Sequence, residues 1–158
     1  MRRRRAALAT LFAVALTASG CTSSGVTGVS VSDRTALSMA RERWTSRGID
    51  SYDWVWQRGW CECLPEWTRP LYVEVRDGEV RTLLDAQTRQ APTGFGDIAP
   101  PTVEYFFSVI EDALARNAYR LTVRYDPADG HPTFMQVDYD EQMVDDEFTI
   151  ETREFVAR

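Results

Sequence analysis

Residues 69–85 read "RPLYVEVRDGEVRTLLD", and this stretch predicts a β-hairpin. Apolar and polar residues alternate from Leu71 to Val75, which is typical of a strand with one buried face. Asp77-Gly78 is a pair that favours a two-residue type I′ turn, and apolar residues return between Val80 and Leu84. We therefore predict two antiparallel strands joined by a tight turn.

A helix is predicted upstream of this hairpin, where residues 32–48 read "SDRTALSMARERWTSRG". The residues that recur at the spacing of one helix face are Leu37, Ala40 and Trp44. We expect Ser32 or Asp33 to be the N-cap and Gly48 to end the helix.

A strand is predicted between this helix and the hairpin, in "IDSYDWVWQRGWCEC" at residues 49–63. Its side chains alternate between two faces. One face carries Tyr52, Trp54 and Trp56. The other face carries Asp53, Val55 and Gln57.

The C-terminal half is predicted to have the same order of elements. After a Pro- and Gly-rich loop at 86–101, Thr102 is the expected N-cap of a helix over 103–116. The apolar stripe of this helix consists of Val103, Phe106, Phe107, Ile110 and Leu114. Three further strands are predicted at 118–126, 133–140 and 147–156, and "DPADGHP" at 126–132 is a turn.

The predicted order is thus helix, three strands, helix, three strands. Because short connections join neighbouring strands, we predict a single α+β domain over 33–158, with a mostly antiparallel sheet of about six strands and two helices packed on one face. The repeated order also suggests the hypothesis of two similar halves.

The N-terminus is typical of an exported lipoprotein. Four arginines precede an apolar run of about 13 residues, which fits a secretory signal peptide and is too short to span a bilayer. The small residues before Cys21 resemble a bacterial lipobox, in which cleavage after residues 1–20 leaves Cys21 as a lipidated N-terminus. The small polar residues at 21–32 would then be a flexible tether. An ordinary signal peptide that leaves Cys21 free is the alternative.

The charge balance argues against nucleic acid as a partner. The chain holds 18 Lys+Arg and 24 Asp+Glu, a net charge of −6. Removal of the signal's four arginines leaves 14 positive residues against 24 negative ones, a net charge of −10. Such a domain repels phosphate backbones and anionic lipid. We expect contact with the membrane through the lipid anchor, on the extracytoplasmic face of a bacterial cell membrane or on an outer membrane.

One combination of motifs resembles a family of small bacterial secreted proteins and lipoproteins that is classed as a domain of unknown function. The matching features are Tyr52 in a strand, Cys61-Glu62-Cys63, the Asp77-Gly78 hairpin, "YDPADGHP" at 125–132, Asp138 and "DDE" at 145–147. The similarity covers about residues 40 to 155. It implies an exported location and this fold, and it assigns no catalytic residue.

Cys61 and Cys63 are the first candidates for chemistry. An oxidising compartment favours a disulfide. Residues i and i+2 of a flat strand lie about 6.6 Å apart, too far for the Cβ atoms of a disulfide, so the bond requires a kink near Gly59 and Pro65. A strained bond would be redox-active. Left reduced, the thiols could be inert or could hold a soft metal, for which His131 is the single histidine available.

Acidic residues form the second candidate site, in "DYDEQMVDDE" at 138–147. Closely spaced carboxylates on a loop suit calcium, although the EF-hand glycine is absent. The candidate ligands are Asp138, Asp140, Asp145, Asp146 and Glu147. The alternative is a solvated loop whose charges protect a sheet edge.

Tryptophans form the third candidate site. Tyr52, Trp54 and Trp56 are expected to fill the space between sheet and helix. Trp60 and Trp67 flank the cysteines in a predicted loop and are the better candidates for exposed binding residues, where they could stack on sugar rings or a protein.

These observations favour a binding or interaction module over an enzyme, with an unknown protein or envelope polysaccharide as the partner. Motifs for a nucleophile elbow, a P-loop, a zinc protease or a dinucleotide fold are absent from the sequence. His131 is predicted to be a turn residue, and apart from calcium no cofactor is expected. The alternatives are a thiol-redox or metal-handling protein based on Cys61 and Cys63, and a carbohydrate binder based on Trp60 and Trp67.

Overall fold

The computed structural model describes residues 28–61, 63–92, 101–143 and 145–158. The helices are α1 (Val31–Arg47), a short 3₁₀ helix (Pro65–Thr68) and α2 (Val103–Ala115). The strands are β1 (Tyr52–Gly59), β2 (Leu71–Arg76), β3 (Glu79–Asp85), β4 (Arg120–Tyr125), β5 (Pro132–Asp138) and β6 (Phe148–Ala157). None of the helices in these ranges is long and apolar enough to cross a membrane.

The six strands form one antiparallel sheet in the order β3-β2-β1-β6-β5-β4. This confirms the predicted α+β fold and its order of elements. Each half consists of one helix followed by three antiparallel strands, and the hypothesis of two similar halves stays a hypothesis. The strand that follows α1 lies at the centre of the sheet, whereas the strand that follows α2 lies at its edge.

The predicted hairpin is present as β2 and β3. Asp77 and Gly78 have φ angles of 53° and 75°, the left-handed values that a type I′ turn requires at both positions. Arg76 pairs with Glu79 directly across the turn.

The start of α1 differs from the prediction. Ser30 is the N-cap, and its side chain accepts a hydrogen bond from the Asp33 N–H, while the Asp33 carboxylate accepts one from the Ser30 N–H. The prediction of Ser32 or Asp33 as the cap is therefore wrong, because Asp33 is the third helical residue of this capping box.

The predicted tether at 21–32 includes residues that belong to the fold, because the Gly28 N–H donates to the Tyr119 carbonyl at 2.6 Å. The predicted signal peptide, Cys21 and residues 93–100 of the predicted loop lie outside the described residues.

The hydrophobic core lies between the sheet and the two helices. Tyr52 and Trp54 are fully buried, and Trp56 is 5% exposed, which confirms their predicted packing role. The Trp54 ring lies 5.1 Å from the ring of Phe106 on α2. All five residues of the predicted stripe on α2 are buried, and Thr102 caps this helix as predicted.

Candidate functional site

A cavity of about 440 Å³ opens between α2 and the central strands of the sheet. Its wall is mostly apolar and is rich in aromatic side chains. It is lined by Trp56, Arg58, Trp67, Pro101, Tyr105, Phe106, Ser108, Val109, Asp112, Tyr139, Phe148 and Ile150. The volume is in the range of pockets that hold small organic ligands.

The inner wall of the cavity continues the aromatic row of β1. Alternation along this strand places every second side chain on the face that the helices cover, and Trp56 is the third member of the row. Its indole lies 6.0 Å from the Phe106 ring, in an edge-on arrangement. Ile150 on the neighbouring strand β6 completes this part of the wall.

Arg58 is the next residue in the same row, and it brings a positive charge to the cavity. Its guanidinium carbon lies 5.0 Å from the centre of the Phe148 ring. The Arg58 Nε and the Trp56 Nε1 are both buried, and neither has a hydrogen-bond partner among the described residues. An unsatisfied buried donor typically destabilises a fold by about 1–3 kcal/mol, so two of them in one wall are unusual.

Asp112 brings a carboxylate to the other side of the cavity, and its oxygen Oδ2 already has partners. The Tyr139 hydroxyl donates to it at 2.9 Å, and the Arg116 guanidinium lies 3.4 Å away. Burial, followed by the hydrogen bond to Asp112, raises the pKa of Tyr139 to about 12. Tyr139 is therefore a neutral hydrogen-bond donor at neutral pH.

Trp67 reaches the cavity from the 3₁₀ helix, which is held to β1 by a hydrogen bond of 2.9 Å from the Gln57 side chain to the Thr68 carbonyl. Trp67 is 37% exposed and Trp60 is 50% exposed, which confirms that these two tryptophans are the exposed ones of the region. The structure brings Trp67 into the cavity wall, whereas Trp60 is not among the lining residues. Their role in binding stays a prediction.

The two cysteines lie directly before this helix. The Sγ atoms of Cys61 and Cys63 are 2.01 Å apart, which is disulfide distance, and the Cα atoms are 5.1 Å apart. The predicted kink is present, because Trp60 has a left-handed φ of 45° immediately after β1. Both cysteines are half-buried.

The five acidic residues predicted to bind calcium do not meet as a compact ligand set in the described residues. Burial, followed by the nearby charge of Asp146, raises the pKa of Asp138. The carboxylate and imidazole groups that do lie within 4.8 Å of one another are those of Asp126, Asp129 and His131. Calcium binding at 138–147 stays a prediction.

His131 is part of the core as well as of the turn between β4 and β5. It is 5% exposed, and its ring stacks on Phe155 at 4.2 Å. Its Nδ1 lies 2.5 Å from Asp129 Oδ1, and the His131 N–H donates to the same oxygen. Asp126 accepts hydrogen bonds from two backbone N–H groups of the turn. These contacts are those of an ordered turn packed against the core.

The sequence prediction missed the cavity and most of its polar residues. One signal was available: the period-two pattern that places Tyr52, Trp54 and Trp56 on the covered face extends to Arg58. A second signal was the helical spacing of Tyr105, Val109 and Asp112, which brings these three side chains to one side of α2.

Comparison with known proteins places the chain in a family without assigning it an activity. No curated protein and no solved structure matches it. A family model, described as a family of unknown function (DUF6174), matches residues 36–157, which is nearly the whole described domain. The chain belongs to the family of unknown function DUF6174.

Proposed function

We propose that this protein is a binding module without enzymatic activity, held on the extracytoplasmic face of a membrane by a lipid on Cys21. The observation that carries the binding function is the aromatic-lined cavity between α2 and the sheet. A concave, mostly apolar pocket with a few convergent polar groups is the usual form of a small-molecule site.

The composition of the cavity wall supports an apolar ligand. Aromatic rings come from four different parts of the chain: Trp56 from β1, Trp67 from the 3₁₀ helix, Tyr105 from α2 and Phe148 from β6. Such rings offer large contact areas and bind flat or apolar groups well. The carboxylate in the wall, Asp112, already has Tyr139 and Arg116 as partners.

The experiment is a fluorescence titration of the purified protein with N-phenyl-1-naphthylamine, a neutral probe that becomes bright in apolar surroundings. We expect saturable binding with one site per chain. Ser108→Trp should weaken it at least tenfold, because an indole at this position on α2 would occupy the cavity mouth.

Ser46→Trp is the matched control for this titration. Ser46 and Ser108 are both exposed helical serines, and each hydroxyl donates to the carbonyl three residues earlier. Ser46 lies on α1, away from the cavity lining. Unsaturable probe binding, or equal binding by the two variants, would show that the cavity is not a ligand site.

Anchoring is a separate part of the proposal and has its own test. Cells that express the protein would be labelled with a radioactive fatty acid and fractionated. We expect the label in the protein and the protein in the membrane fraction. Cys21→Ala should remove both the label and the membrane association, and a labelled Cys21→Ala protein would contradict the proposal.

A thiol-redox function is a second candidate, favoured by the half-buried disulfide that lies outside the core. In this reaction a partner dithiol would reduce the Cys61–Cys63 bond to two thiols and would itself become a disulfide. Equilibration with glutathione buffers, followed by alkylation and mass measurement, gives the reduction potential. A potential well below about −300 mV is typical of a structural disulfide and would exclude this function.

Carbohydrate binding is a third candidate, favoured by the exposure of Trp60 and Trp67. Soluble cell-wall fragments should then quench the tryptophan fluorescence of the wild type. Quenching should fall in Trp60→Ala and Trp67→Ala but not in Trp44→Phe, which alters a buried tryptophan. Equal quenching of all variants would rule this candidate out.

A further inference from the structure

We infer that the ligand of this cavity is a small organic anion with an apolar, ring-bearing body, and that Arg58 binds its acidic group. This inference rests on the proposed binding function and specifies the chemistry of the same site. It follows from the charge, the pairing and the position of Arg58.

The position of Arg58 is unusual for a charged residue. The three preceding residues on the same face of β1 are Tyr52, Trp54 and Trp56, all buried beneath the helices. Arg58 continues this row into the cavity, and its guanidinium lies over the Phe148 ring. The aromatic ring holds the charged group at the wall through a cation–π contact, and does not neutralise it.

Arg58 differs from the other described arginines in having a buried nitrogen that lacks an acceptor. Six of the others form an ion pair with a carboxylate, namely Arg41, Arg69, Arg76, Arg81, Arg116 and Arg158. Others without an ion pair, such as Arg34, Arg43 and Arg47, donate to backbone carbonyls. Within the described ranges Arg58 forms neither kind of contact, and its Nε is buried without an acceptor. The positive charge of Arg58 is thus uncompensated at a site where solvent reaches only part of the group.

The same wall contains no competing free carboxylate among the described residues. Asp112 is the acidic residue of the lining, and its Oδ2 is shared between Tyr139 and Arg116. The buried Trp56 N–H is a further donor that has no partner in the part of the chain that the structure describes. A ligand that supplies oxygen acceptors would satisfy groups that the protein leaves unsatisfied, and a charged acceptor matches Arg58 better than a neutral one.

The other residues of the cavity wall favour a particular chemistry for the uncharged part of the ligand. The aromatic rings around Arg58 favour flat, apolar groups over flexible polar ones. The chain has a net charge of −6, so an anion gains nothing from the protein as a whole. Selection of an anion therefore has to come from local contacts at the cavity.

The test compares two probes that share one ring system. 8-Anilinonaphthalene-1-sulfonate is N-phenyl-1-naphthylamine with an added sulfonate, so the pair isolates the effect of the negative charge. We expect the wild type to bind the sulfonate about tenfold more tightly, as one charge-assisted hydrogen bond would produce. Arg58→Gln should abolish this preference, so that the two probes bind with about equal affinity.

Arg153→Gln is the matched control. Arg153 lies on the neighbouring central strand β6, is exposed, and contacts Gln57 on the opposite face of the sheet. It should keep the full preference for the sulfonate.

A displacement experiment on the wild type covers the case in which Arg58→Gln fails to fold. In it, 2-naphthoate should displace the neutral probe at about one tenth of the concentration that 2-naphthylmethanol requires.

The outcomes separate this inference from the proposed function. Tight binding of the neutral probe without a preference for the sulfonate would overturn the inference and leave the cavity as a ligand site. A preference that survives in Arg58→Gln would also overturn it, whatever the result for Arg153→Gln. If neither probe binds at a site that Ser108→Trp blocks, the proposed function itself is overturned.

Discussion

Tyr52 is a core residue that joins the two layers of the fold with one polar contact. Its ring packs edge-on against those of Trp44 and Trp54, at 5.6 Å and 5.5 Å. Its hydroxyl accepts a hydrogen bond of 2.8 Å from the backbone N–H of Val103, the first residue of α2. The N–H groups in the first turn of a helix have no partner within the helix, so this contact satisfies one of them inside the core.

Tyr52→Phe should therefore destabilise the protein although it leaves the core volume unchanged. We expect the free energy of unfolding in urea to fall by about 1–3 kcal/mol, because the Val103 N–H loses its acceptor. Tyr125→Phe is the control, since the Tyr125 hydroxyl makes no hydrogen bond within the described residues, and it should change stability by less than about 0.5 kcal/mol. Equal losses in the two variants would contradict this role of Tyr52.

Asp53 is a buried carboxylate on the opposite face of β1. The Arg76 guanidinium lies 2.8 Å from its Oδ1, and the Arg158 Nε donates to its Oδ2 at 2.8 Å. Burial alone would raise the pKa of Asp53, but the hydrogen bonds from Arg158 and Arg76 outweigh it and hold the pKa below its usual value. A carboxyl whose pKa is lowered by folding stabilises the fold above its unfolded pKa, and this contribution is lost as pH falls through the folded pKa.

We expect Asp53→Asn to lower the free energy of unfolding by about 2 kcal/mol at pH 7, because it leaves two arginines without their carboxylate. The difference from the wild type should begin to shrink below about pH 4, where the carboxyl of the unfolded chain is protonated, and should disappear as the pH falls through the lower pKa of the folded state. Urea unfolding at pH 7 and pH 3 measures both values. Glu79→Gln, which removes an exposed ion pair with Arg81, should cost less than about 0.5 kcal/mol and serves as the control.

Among the secondary-structure elements, α1 has two candidate N-cap residues close to its beginning. Ser30 and Ser32 are both good N-cap residues, and the helix uses Ser30. The segment before it is fixed by the hydrogen bond from Gly28 to Tyr119, so the chain enters the helix two residues earlier than the local pattern predicts.

Ser30→Ala should lower the free energy of unfolding by about 1 kcal/mol, the usual effect of losing a side-chain cap. Ser32→Ala should change it by less than about 0.5 kcal/mol, because Ser32 is an exposed residue in the first turn. Thermal unfolding followed by circular dichroism distinguishes the two. A larger loss in Ser32→Ala would support the cap that the sequence pattern predicts.

The Cys61–Cys63 bond joins the end of β1 to the 3₁₀ helix that carries Trp67. Cys61→Ser and Cys63→Ser should each destabilise the domain by about 1–2 kcal/mol, the loop-closure estimate for so short a loop. The wild type in reductant should lose the same amount, because the same bond is open. Melting temperatures of both variants that match the oxidised wild type would show that the bond does not stabilise the fold.

At the scale of the whole molecule, the turn between β4 and β5 packs against α1 at Gly130. This residue has a φ of 88°, and a Cβ added to it would lie 2.2 Å from the carbonyl oxygen of Ala40. The Arg47 guanidinium donates to the Ala128 carbonyl of the same turn at 2.9 Å. The contact between helix and turn thus depends on the absence of a side chain at this one position.

Gly130→Ala should lower the free energy of unfolding by about 3 kcal/mol, because left-handed strain and a backbone clash add together. Gly78→Ala is the control, since Gly78 has a φ of 75° and no atom of the described residues within 4 Å of an added Cβ. It should cost only about 1 kcal/mol, the strain alone. Urea unfolding of the two variants measures the difference, and equal losses would show that the turn yields to the added methyl group.

The site was less predictable from sequence than the fold. The exposure of Trp67 followed from its position in a predicted loop. A disulfide between Cys61 and Cys63 was one of several alternatives, favoured by the oxidising compartment and opposed by the spacing of a flat strand. Arg58 was overlooked, although it continues the alternation of β1. The meeting of Trp67, Tyr105 and Tyr139 in one cavity had no local signal, because these residues lie in the 3₁₀ helix, in α2 and directly after β5, far apart in the chain.

The helices and strands and their buried faces could be predicted from local patterns in the sequence. Alternation in β1 and β2, the Asp77-Gly78 turn and the apolar stripe of α2 are local patterns, and local steric and solvation effects are sufficient to specify them. Three features are visible only in the folded chain: β1 pairs with β6 at the centre of the sheet, α1 begins at Val31, and Arg58, which has no ion pair among the described residues, faces an aromatic cavity. These features depend on contacts between residues far apart in the chain, which no local pattern encodes.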